Sequence, residues 1–115
     1  MTFHAQFLLA IDGWEKDPIE DQWLFEKFRD QIVNLMPAAE AFEAIGEAID
    51  VLLLQSDALT AIEVAQTLNA LARQSDTTEI PSKLLAQKPA IVSRFSSFGD
   101  YAKSKLQELF QHYRL

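Results

Sequence analysis

The stretch PAAEAFEAIGEAIDVLLLQSDALTAIEVAQTLNALAR, residues 37–73, decides the fold. Its first part places Ala41, Phe42, Ile45, Ile49, Leu52 and Leu53 three and four residues apart, the spacing that lines one face of an α-helix. Pro37 opens this helix, which is expected to run to about Gln55. Ser56-Asp57 then turns the chain, and Asp57 can accept hydrogen bonds from the first amides of a further helix. That helix carries Leu59, Ile62, Ala65, Leu68 and Leu71 on its apolar face. A turn this short makes the two helices antiparallel neighbours, so a central helical hairpin is expected.

The same period continues on both sides. Upstream, Asp17-Pro18-Ile19-Glu20 combines an N-cap acid, a proline at the first helical position and an acid three residues after the cap. The helix it starts presents Phe25, Phe28, Ile32 and Leu35 and must end before Pro37. A first helix from about Thr2 to Ile11 presents Phe3, Phe7, Leu8 and Ile11, and Asp12-Gly13 is expected to close it. Downstream, the polar run from Gln74 to Pro81 reads as the longest loop, with Asp76, Thr77 and Thr78 able to cap and turn the chain. A helical turn over Ser82 to Ala86, a helix from Pro89 to Ser97, a break at Phe98-Gly99-Asp100 and a final helix from Tyr101 to Tyr113 complete the reading. The last helix turns Ala102, Leu106, Leu109 and Tyr113 inward. The expectation is an all-α, single-domain bundle of about five to seven helices spanning residues 1–115.

Composition narrows the function. Of the 115 residues, 49% are apolar and 23% charged, which is ordinary globular composition rather than that of a disordered chain. The absence of cysteine removes disulfides, thiolate metal sites and cysteine nucleophiles, and it permits a reducing compartment. Phe7 to Ile11 is too short and wrongly flanked for a secretory signal, and no apolar run approaches the roughly 20 residues of a membrane helix, so a soluble cytoplasmic protein is expected. A net charge of −7 argues against nucleic acid as the partner, because phosphate binding draws on clustered basic charge. His4 and His112 lack metal-ligand spacing, and the three glycines form no phosphate loop, so neither catalytic group nor cofactor is implied.

The charge is unevenly placed. Residues 1–50 hold eleven of the 17 acids and three of the 10 bases, whereas residues 51–115 are close to neutral. Glu40, Glu43, Glu47 and Asp50 follow one another at three, four and three residues, which puts four carboxylates on one helical face. Such a stripe serves as the solvated side of an amphipathic helix or as a docking surface that steers a basic partner. Trp14 and Trp23 lie near the acidic segment, where each either fills the core or anchors an interface. Asp76, in the polar loop, either turns the chain or contacts a partner.

Two resemblances follow from these residues. Glu47-Ala-Ile-Asp50 and Asp17-Pro-Ile-Glu20 form paired acids on successive helices, and this resembles the all-α nucleoside triphosphate pyrophosphohydrolases, whose ExxE and ExxD pairs hold Mg²⁺. The likeness implies Asp17, Glu20, Glu47 and Asp50 as metal ligands; it departs at Asp17, where the family has Glu, and phosphate-binding bases are missing nearby. The chain as a whole, small, acidic, helical and without catalytic groups, is similar to the helical immunity proteins that bacteria make against secreted nuclease toxins, including those of contact-dependent growth inhibition. That similarity implies a stoichiometric inhibitor of a basic toxin domain, with Glu40, Glu43, Glu47 and Asp50 as electrostatic contacts and Trp14, Trp23 and Asp76 beside them. A helical scaffold subunit that completes another protein's bundle is the remaining expectation.

Overall fold

In a computed structural model, residues 2–16 and 24–115 are described. They form α1 (Phe3–Lys16), α2 (Leu24–Phe28) running into a π turn (Arg29–Val33), α3 (Ala38–Leu53), α4 (Ala58–Gln74), α5 (Ser82–Phe95) and α6 (Asp100–His112). No strand occurs among the described residues, and the fold is an all-α bundle. It is a slab of 37 × 34 × 18 Å, two helices thick.

The expected hairpin is the centre of that slab. Asp57 caps α4, its carboxylate accepting from the Thr60 amide and the Thr60 hydroxyl, each at 3.0 Å. At the other end, Gln74 Nε2 donates to the Met36 carbonyl at 2.6 Å, so the end of α4 meets the chain just before α3 begins. The two helices are therefore antiparallel. On α4 the buried residues occupy almost the whole circumference, because α3 covers one side, α6 another and the π turn a third. Its polar groups are met internally. Asn69 donates to the Lys105 carbonyl at 3.0 Å, Thr67 to the Glu63 carbonyl at 2.9 Å, and Arg29 to Glu63 Oε2 at 3.0 Å. The Glu63–Arg29 pair is largely withdrawn from water, so removing one partner leaves a costly lone charge.

Several expectations change at this level. The helix α1 does not close at Gly13 but continues to Lys16, and a β-carbon at Gly13 would make only ordinary contact with Leu24 at 3.6 Å. Its inward face is Phe3, Phe7, Ala10 and Ile11, while Leu8 is 42% exposed. The expected start of the next helix at Asp17 lies outside the described residues. Farther along, the π turn inserts one residue into the repeat, closed by the Asn34 amide on the Arg29 carbonyl at 2.8 Å. The inward set becomes Phe25, Phe28, Val33 and Met36, spaced three, five and three, in place of the expected Ile32 and Leu35. Ile32 is half-buried and Leu35 is 77% exposed.

Elsewhere, Phe42 and Leu53 are half-buried rather than buried, and Leu59 points to solvent. The segments expected as a turn and a separate helix are one helix, α5, with Pro89 inside it on the exposed side. Proline removes one helical hydrogen bond there, and the packing of Leu84, Ile91 and Phe95 into the core outweighs the loss. Arg94 then reaches back to the end of α3, donating to the Leu53 carbonyl at 2.7 Å. The break before α6 is as read, with Gly99 at φ +95°, a conformation costly for any other residue. Ala102, Leu106, Leu109 and Tyr113 all face inward.

Candidate functional site

The four carboxylates of α3 share a face, as their spacing requires, but they are not equivalent. Glu40 and Glu43 are exposed, Glu47 is half-buried, and Asp50 receives an ion pair from Lys83 of α5 at 2.8 Å. A β-carbon at Gly46 would make only ordinary contact with the Lys83 stem, 3.9 Å from its Cδ, so the pair forms beside Gly46 without depending on it. The stripe is thus neutralised at its lower end by α5. Glu40, Glu43 and Glu47 have neither ion pair nor hydrogen bond from their side chains among the described residues.

Beside the open end of the stripe lies a shallow hollow of about 250 Å³. Glu40 forms part of its rim, with Phe3 and Gln6 of α1 on one side and Leu35 and Pro37 on the other. Leu35 therefore sits next to the acids as an exposed aliphatic side chain. A regular helical repeat through residues 25–35 demands Leu35 in the core, and the π turn instead leaves it in solvent. The signal that finds it is the alternative set Val33 and Met36, which a one-residue insertion brings inward.

The other candidates are dispersed. Trp14 is half-buried and its ring packs on Phe25, centroids 5.3 Å apart at 60°, so it seals the edge of the core. Trp23, Asp17 and Glu20 lie outside the described residues. Asp76 is exposed at φ +54° in the loop after α4, flanked by Arg73, Thr77, Thr78 and His112 around a shallow depression, and it is not part of the α3 face. There His112 Nε2 lies 3.1 Å from the Thr77 carbonyl, which ties the loop to α6. Next to it, the Tyr113 hydroxyl is buried without a hydrogen bond of good geometry, and burial pushes its pKa up to about 12, with the Ser75 side chain pulling the other way.

Of the four residues that the pyrophosphohydrolase likeness implies as ligands, only Glu47 and Asp50 are described. They sit on a single helix, with Asp50 already held by Lys83. Among the described residues no group of three or more His, Asp or Glu side chains is placed to hold a metal ion. Nor is any helix among them long and apolar enough to cross a membrane. Comparison with known proteins returns no matching family model, no matching curated protein and no matching solved structure.

Proposed function

We propose that this chain is a protein-binding module, an immunity-type inhibitor that neutralises a basic, nuclease-type toxin in the cytoplasm of the cell that makes both. The observation that supports this reading most is the set Glu40, Glu43 and Glu47, unpaired among the described residues, on one face of α3 beside the exposed Leu35. Carboxylates held at helical spacing offer a basic active site the negative charge it expects from phosphates. An exposed aliphatic residue at the edge of such a field supplies apolar area that can be desolvated at the centre of an interface. Asp50 contributes little to that field, because Lys83 compensates it, and Trp14 contributes through the core it seals.

The test is co-purification of the tagged protein with the product of its neighbouring gene, rendered catalytically inactive, at low and high salt. A one-to-one complex is expected, with Glu43→Lys plus Glu47→Lys slowing association at low salt by at least about tenfold. Association at the wild-type rate removes the α3 face from the interface, and failure to form any complex with a basic neighbour removes the inhibitor reading itself.

A further inference from the structure

A groove of contrary character lies between α5 and α6. These consecutive helices lean on different partners, α5 on α3 and α6 on α4, and the space left between them is a cleft of about 340 Å³. Its floor is Phe95, Leu106 and Phe110, none more than 5% exposed, and one wall is Val92, which is 47% exposed. Leu85, two turns before Val92 on the same side of α5, extends the apolar surface and is 57% exposed. At one end the Lys88 ammonium bridges from α5 to the Phe110 ring, 5.1 Å from its centroid. Lys103 forms the rim on α6 and has no ion pair among the described residues. Among the described residues no carboxylate lines the cleft, although the chain carries a net charge of −7.

We infer that this groove takes an acidic amphipathic helix from another protein. Along α5 the exposed Leu85 and Val92 stand seven residues, about 10 Å, apart, which matches the span of apolar anchors at i, i+3 or i+4 and i+7 on a helical ligand. The apolar floor receives those anchors, and Lys88 and Lys103 face the carboxylates that flank them. A second copy docking groove to groove would set lysines against lysines, so charge selects a different chain as the occupant. This groove does not depend on the α3 face, and either can fail without the other.

The experiment is a selection against the full-length protein from a displayed library of helical peptides, with Leu fixed at i, i+3 and i+7 and the flanking positions randomised. Recovered peptides are expected to be enriched in Glu and Asp at the flanks. A synthetic copy of one should bind in fluorescence anisotropy and shift the amide resonances of Val92, Leu106 and Gln107. Lys103→Glu should weaken it about tenfold, and Val92→Asp should abolish it, both variants being at exposed positions that leave the circular dichroism spectrum unchanged. The control Leu9→Asp, at an exposed position of α1 outside the groove lining, should have no effect. The proposal is overturned if the library yields no binder, if the flanks show no acidic preference, or if binding survives both groove variants. It is equally overturned if octanoate moves the same resonances while no peptide does, which makes the groove a small-molecule site, or if Val92→Asp abolishes a self-association seen by sedimentation, which makes the occupant a second copy.

Discussion

Helices α3 and α4 are nearly equal in length, 16 and 17 residues, and lie side by side in one hairpin, yet they do opposite work. Helix α4 is enclosed by α3, α6 and the π turn, and even Thr60, Thr67 and Asn69 are buried on it with their hydrogen bonds made inside the protein. Helix α3 buries only one side and leaves Glu40 and Glu43 in water. A helix enclosed on every side must satisfy every polar group it buries, whereas a helix with one open face can keep charges there that pair with nothing among the described residues. The difference teaches where to look for stability and where for recognition, and variants on the two helices should separate cleanly.

The largest effect belongs to α4. Leu68 is fully buried where α4 meets its neighbours, so Leu68→Ala removes its transfer free energy and leaves a cavity that surrounding helices can only partly fill. A loss of about 2–5 kcal/mol in urea unfolding is expected. A loss below about 1 kcal/mol would mean that α4 is loosely packed and that the contrast with α3 is overstated.

Next comes the alkaline limb of stability, set where the segment after α4 meets the end of α6. The Tyr113 phenol has its pKa raised from 10.0 to about 12 by burial, so the folded state holds the neutral form. Below pH 10 neither state ionises and the full stability is present. Between pH 10 and about 12 the unfolded chain loses the proton while the folded one keeps it, and stability falls as pH rises, by at most about 2–3 kcal/mol. Denaturant midpoints measured from pH 9 to 11.5 should fall less steeply in Tyr113→Phe than in the wild type. Because the hydroxyl makes no good hydrogen bond, that variant should lose little at pH 7. Parallel pH profiles would place the alkaline loss elsewhere.

The hairpin was legible in the sequence because every local rule agreed there: the apolar period, the Asp57 cap and the short turn all required the same geometry. Legibility failed where tertiary packing overrode a local rule. Gly13 and Pro89 are helix breakers by propensity, but both lie on exposed positions of helices whose opposite faces are held in the core. The π turn is harder to read, since nothing in the local composition of Arg29–Val33 announces a one-residue insertion, and only the burial of Val33 and Met36 together shows it. For the site, the common face of Glu40, Glu43, Glu47 and Asp50 followed from spacing. The neutralisation of Asp50 did not, because Lys83 arrives from another helix, α5.

The smallest effect tests whether the α3 face is free. Glu43 stands three residues from Glu40 and four from Glu47, so it takes part in two like-charge contacts, and it lies beyond the first turn, where the helix dipole would compensate it best. Glu43→Gln should therefore stabilise the fold by about 0.3 kcal/mol at low salt, and the gain should vanish at 0.5 M salt, roughly where the screening length falls below the separation of the charges. Asp50→Asn gives the opposite sign, since it breaks the exposed pair with Lys83, again by no more than about 0.5 kcal/mol. If Glu43→Gln instead destabilised the protein in a salt-independent way, Glu43 would have to be making a contact within the fold. The stripe would then be part of the architecture, and the recognition surface would have to be sought on another face.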